Sequence, residues 1–175
     1  MSFEDNPRPG ARSPMLQSRS REWSSILSTS PPPHIGLITR DFDRDLRRYA
    51  KVFGYRWAKV VSARHELIGP LSCKADVRVT FSVDEPHIEL IEHRPGTPWS
   101  DDSGALHHLG FWVDDLEQSG AKLTDAGFTF KASGRREGAS RIAYAYYSND
   151  NLMIEISDRR NHGYWQKWIS TPADE

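Results

Sequence analysis

The chain has 175 residues and a formal charge of -1, with 23 Lys or Arg set against 24 Asp or Glu. This balance gives no basic field for nucleic acid, and a single cysteine, Cys73, excludes an internal disulfide and a zinc-thiolate cluster. No apolar run approaches ~18 residues and the N-terminus lacks the apolar stretch of a secretory signal, so no membrane span is expected and cytoplasmic residence is the default.

A chain of this length buries roughly 70% of its unfolded surface in one core, which favours one compact domain built from repeats. Residues 1–33 are rich in Ser, Pro and Arg and end in Pro31-Pro32-Pro33, the composition of a flexible or docking extension. Within them Ser13-Pro14, followed by Leu16, Trp23 and Leu27, is able to start a short amphipathic helix. From His34 the pattern predicts a strand over 34–39 and a helix over about 43–53. Phe42, Leu46, Tyr49 and Phe53 lie on one stripe of that helix, with Asp41 or Asp43 as cap and Gly54 as stop. Strands follow at 56–63, 75–83 and 87–92, the last two joined by the turn Asp84-Glu85-Pro86, with Gly69-Pro70 marking a loop. Pro95-Gly96-Thr97-Pro98 and Asp101-Asp102-Ser103-Gly104 form a linker.

The second half repeats the order: a strand over 107–113, a helix over about 115–126, then strands near 128–132, 142–147 and 152–157, with Asn149-Asp150-Asn151 as the matching hairpin turn. The whole reads as two βαβββ modules, 34–93 and 106–158, in an α+β domain spanning 34–158. The tail 159–175 carries Tyr164, Trp165, Trp168 and Ile169, too aromatic for a solvated end, and is expected to pack over the body or a partner chain.

Strand alternation decides which residues share a face. His34, Gly36 and Ile38 fall together, as do His108, Gly110 and Trp112, while Leu109, Phe111 and Val113 point toward the helix. Glu89 alternates with Ile88 and Leu90, and Glu155 with Ile154 and Ile156, so both carboxylates join the histidines on the side away from the helices. A carboxylate in mid-strand is costly to bury without a positive partner. Two carboxylates beside two neutral imidazoles are answered most economically by one divalent cation, and this donor set suits Zn, Ni, Co, Mn or Fe.

The segments HIGLITRDFDRDLRRYAKVFGY, IELIE, ALHHLGFWVDDLEQ and LMIEIS resemble the vicinal oxygen chelate superfamily, which holds glyoxalase I, methylmalonyl-CoA epimerase, extradiol dioxygenases and fosfomycin-resistance proteins. The resemblance covers about residues 34–158. It implies a mixed sheet curled around a metal site, helices outside, with ligands at His34, Glu89, His108 and Glu155. His107, the other member of the adjacent pair, is then left as a helix-facing or surface residue. Extradiol dioxygenases and fosfomycin-resistance proteins resemble the pattern without a carboxylate at the Glu89 position, and the epimerases carry an amide there. The His, Glu, His, Glu set is most similar to glyoxalase I, although residues that grip glutathione are not matched.

The resemblance therefore implies a metal-dependent lyase or isomerase that moves a proton next to a metal-bound carbonyl, acting on a small molecule with a carbonyl or vicinal oxygens and commonly as a homodimer. Glu155, or in second place Glu89, would shift from ligand to general base. The alternatives are an Fe(II) ring-cleaving dioxygenase, with Tyr144 and Tyr146 assisting the substrate, and a non-catalytic binding or resistance protein. His87, His93 and Trp112 fall on the same face as the ligands and are candidate pocket residues. His65-Glu66 and Arg135-Arg136 are placed in loops, with the arginines as candidates to meet an anionic group.

Overall fold

The computed structural model describes residues 26–27, 32–100 and 106–173. The N-terminal amphipathic segment, apart from its last residues, and the acidic linker 101–104 lie outside them. The first module runs β1 (His34–Thr39), α1 (Phe42–Phe53), β2 (Val61–Ile68), β3 (Cys73–Phe81) and β4 (Ile88–Glu92). The second runs β5 (Leu106–Val113), α2 (Leu116–Asp125), β6 (Thr129–Arg136), β7 (Tyr144–Ser148) and β8 (Met153–Asp158). A 3-10 turn over Arg159–Asn161 leads into α3 (His162–Ile169). No described helix is long and apolar enough to cross a membrane.

The helices start and stop where the sequence supplies partners for their free backbone groups. Asp41 accepts from Arg44 N and caps α1, whose last turn closes on left-handed Gly54. Asp43, the alternative cap, instead pairs with Arg78 at 2.8 Å. Asp115 caps α2 by accepting from Gln118 N. The expected apolar stripe of α1 holds at Phe42, Leu46 and Tyr49, which pack with Ile88 and Leu90 of β4. Phe53 departs from it and is exposed, lying against Tyr49 and Tyr55.

The eight strands close into a barrel in the order β1-β4-β3-β2-β6-β7-β8-β5. Within each module the first and last strands pair in parallel, β1 with β4 and β5 with β8. The modules join antiparallel at two seams, β1 with β5 and β2 with β6. Outward residues of each sheet bury under the module's own helix: Ile88 and Leu90 under α1, and Ala145, Tyr147, Ile154 and Ile156 under α2. Inside the barrel lies a third cluster of Ile38, Leu67, Val77, Ile91, Trp99 and Tyr146. The aromatic tail packs over the body: Trp165 and Ile169 of α3 bury against Phe81.

Two parts of the sequence reading are corrected by the strand boundaries. The second strand lies at Val61–Ile68 because Trp57 and Ala58 spend their pairing capacity on single bridges to Ser82 and Pro172. His65-Glu66 and Arg135-Arg136 are not in loops; they are register partners across the β2–β6 seam, His65 opposite Arg136 and Glu66 opposite Arg135. An ion pair between Arg135 and Glu66 at 2.8 Å replaces the apolar signal a strand normally gives.

Candidate metal centre

Two glycines organise the centre. Gly36 lies opposite His108 across the β1–β5 seam and beside Glu89 of β4, and Gly110 lies opposite His34 and beside Glu155 of β8. Each module thus contributes one His and one Glu, and each His ring crosses the seam to lie over the glycine of the other module. A Cβ on Gly36 would overlap the His108 ring, and one on Gly110 the His34 ring. The glycines expected to keep the face open make room for the opposite imidazole.

All four predicted ligands meet within one chain, each offering a donor atom within 4.8 Å of the others. His34 Nε2 and His108 Nε2 face each other at 3.1 Å. Glu89 Oε2 lies 3.5 Å from His34 Nε2 and 3.2 Å from His108 Nε2. The Glu155 oxygens lie 3.8 and 3.6 Å from the same two nitrogens. Donor atoms that share one ion at about 2.1 Å are separated by roughly 3.0–3.4 Å, so this spacing fits a common divalent ion. Glu89 Oε2 is also buried with no well-formed hydrogen bond among the described residues, the condition a cation relieves.

Burial governs the protonation of the group. It pushes His34 down to about 4, so this imidazole is neutral and has one nitrogen lone pair to offer. It pushes the Glu89 carboxyl up, and the nearby Glu155 charge adds to the effect against the opposing pull of His108. Burial acts on Glu155 in the same sense, but His108, His34 and the Ser157 and Tyr146 hydroxyls together hold it below the usual carboxylate range. His108 is raised, since Glu89 and Glu155 overcome its burial.

The centre opens into a cavity of about 710 Å³, a size suited to a small organic molecule. Its lining includes Trp99, Trp112, Tyr144, Tyr146, Trp165 and Trp168, with exposed Arg136 and Arg141 among the remaining residues. Tyr144 hydroxyl and His65 Nδ1 are 2.8 Å apart in the same wall, and burial, with Arg136 adding, holds His65 near 4. His65 is therefore a cavity residue that sequence reasoning set aside as a solvated loop charge. Only its pairing with a strand more than sixty residues away reveals its position.

Other expectations divide. Trp112 lines the cavity, whereas His87 turns from it and donates from Nδ1 to the Ser82 carbonyl at 3.0 Å. His93, half-buried past the end of β4, does not reach the lining. His107 is neither helix-facing nor a surface residue: it is half-buried, with Nε2 2.7 Å from the Pro98 carbonyl and Nδ1 2.8 Å from His108 Nδ1. The adjacent-histidine pair was the signal for this contact.

A closed barrel of two βαβββ modules with a His/Glu cluster on its inner wall defines a vicinal-oxygen-chelate fold. The chain belongs to the Glyoxalase/Bleomycin resistance protein/Dioxygenase superfamily, whose family model matches residues 33–146. Among solved structures, a methylmalonyl-CoA epimerase in complex with methylmalonyl-CoA and NH4+ is similar with a TM-score of 0.52 and 16% identity, covering 75% of this chain and 95% of that one. A Streptomyces coelicolor methylmalonyl-CoA epimerase variant in complex with 2-nitronate-propionyl-CoA is similar with a TM-score of 0.52 and 16% identity, covering 75% and 98%. No curated protein matches the chain.

Proposed function

We propose that this protein is a divalent-metal-dependent isomerase that moves a proton beside the carbonyl of a small organic substrate, a step that glyoxalase-type lyases share. The observation that carries this reading is the convergence of His34, Glu89, His108 and Glu155 at the wall of a walled cavity. These four residues would hold the ion. When bound, such an ion acts as a Lewis acid and stabilises the negative charge that develops on the carbonyl oxygen by several kcal/mol.

The proton itself is the task of a carboxylate. Glu155 Oε1 accepts from Ser157 Oγ at 2.7 Å, and the Tyr146 hydroxyl further lowers the proton affinity of this carboxylate. Among the described residues Glu89 Oε2 meets the two imidazole nitrogens that would share the ion, His108 Nε2 at 3.2 Å and His34 Nε2 at 3.5 Å, and burial raises its affinity for a proton. Glu89 is therefore the favoured base in this proposal and Glu155 the fixed ligand, the reverse of the order that sequence alone suggests. The aromatic side chains of the lining give the substrate an apolar wall, and exposed Arg136 and Arg141 offer an anionic group of the substrate a place at the lining.

The test is exchange of the substrate α-proton in D2O by the protein loaded with Co2+, Zn2+ or Ni2+, with methylmalonyl-CoA as the first probe because the similar structures hold this ligand or a relative of it. Exchange is expected to stop on chelation and to fall by roughly 10²–10⁴-fold in Glu89→Gln. A Glu89→Gln protein that keeps its metal and exchanges at the wild-type rate removes Glu89 from this role. The Tyr144–His65 contact beside the centre supports a second reading, an Fe(II) ring-cleaving dioxygenase, and oxygen uptake by the Fe2+-loaded protein with a catechol separates the two.

A further inference from the structure

Two chains of contacts run to the centre from one short loop, residues 97–99, between the modules. The loop is buried along its length and fixed by its own bonds: Thr97 Oγ1 donates to the Arg94 carbonyl at 2.8 Å and accepts from Trp99 N at 3.0 Å. One chain passes from the Pro98 carbonyl to His107 Nε2 at 2.7 Å, then from His107 Nδ1 to His108 Nδ1 at 2.8 Å. The other passes from Trp99 Nε1, which donates to the Tyr146 hydroxyl at 3.2 Å, to the Tyr146 ring packed edgewise against His107 and His108.

The first chain fixes hydrogen positions. A carbonyl oxygen only accepts, so His107 Nε2 carries its hydrogen, and the neutral ring has a lone pair at Nδ1. His108 meets that lone pair only with an Nδ1–H. Neutral His108 is then bare at Nε2, the atom that faces His34, Glu89 and Glu155. Among the described residues the first module offers its histidine nothing comparable, for His34 Nδ1 is buried without a hydrogen bond.

We infer that His107, anchored on the 97–99 loop, is a positioning residue that sets the tautomer and the aim of His108, so that the second module holds the ion firmly and the first module holds it loosely. This rests on the metal centre proposed above. Hydrogen-bond partners of a metal-bound histidine typically change metal affinity by about 10–100-fold.

The test titrates the full chain with Co2+ against a chromophoric chelator. His107→Phe keeps a ring and deletes both hydrogen bonds, and is expected to lower Co2+ affinity by about 10–100-fold and to shift the visible Co2+ absorption. His107→Asn keeps an acceptor close to the Nδ1 position and is expected to recover part of the loss. In the metal-free wild type at alkaline pH, long-range nitrogen NMR is expected to find His108 with its hydrogen on Nδ1. Unchanged Co2+ affinity in a folded His107→Phe overturns the inference, and so does an Nε2–H tautomer in the wild type, which needs no variant to fold. A wild type that takes up no Co2+, Zn2+ or Ni2+ while His108 still shows Nδ1–H overturns the metal centre instead.

Discussion

At Gly36 and Gly110 any side chain enters space that an imidazole already fills, so these two positions decide whether the halves of the centre can meet. In Gly110→Ala the added methyl must displace the His34 ring or widen the β1–β5 seam, and overpacking of this kind costs about 1–3 kcal/mol. The displaced ring also loses its aim, so metal affinity is expected to fall along with stability. Gly163→Ala serves as the control: among the described residues nothing lies within 4 Å of a Cβ there, and an alanine in the first turn of α3 should leave stability unchanged or raise it by less than ~1 kcal/mol. Urea unfolding of the metal-free proteins and a Zn2+ titration check both expectations. A Gly110→Ala protein with undiminished Zn2+ affinity would show that the seam is not what aligns His34.

Elements with a strong local pattern were legible in the sequence, and elements defined by a distant partner were not. His34, Glu89, His108 and Glu155 could be placed on one face because each sits in a strand whose apolar neighbours alternate cleanly toward a helix. The strand containing Arg135 and Arg136 has no such pattern; it exists because β2 lies beside it, and charge pairing substitutes for burial. The crossing of each histidine to the other module's glycine, and the turn of His107 toward Pro98, likewise depend on the seam and left no periodic trace. The tail is an intermediate case, since its aromatics announced burial but not the target. In α3 the Trp165 ring stands edge-on to Phe81 and His87, and Trp168 Nε1 donates to the Lys59 carbonyl at 2.7 Å. Trp165→Ala removes that packing and is expected to cost about 3–5 kcal/mol, whereas Trp168→Phe loses chiefly one hydrogen bond, about 1 kcal/mol. Equal and small losses in urea melts would mean that α3 merely lies on the barrel and does not close it.

For the molecule as a whole, closing the barrel buries an imidazole that the unfolded chain would expose. His65 lies in the β2–β6 seam, bonded to Tyr144, edge-on to Trp99 and opposite Arg136. Burial is the larger cause and Arg136 the next in lowering this group from 6.5 to about 4. Between those two values the unfolded chain binds a proton that the folded chain refuses, so stability rises with pH across the window. The contribution is complete above 6.5 and is lost as pH falls toward 4, with a size on the order of 3 kcal/mol. His34 shows the same direction but shares its site with two carboxylates and His108, whose own shifts overlap it. The difference between wild type and His65→Asn isolates the seam, because asparagine keeps a polar atom close to the Nδ1 position for Tyr144 and takes no proton. Urea midpoints of the chelated proteins should therefore converge as pH is lowered through this range, the wild type losing more than the variant. Parallel acid curves for the two proteins would mean that His65 titrates as if exposed, and that the seam between the modules is already open to water in the metal-free barrel.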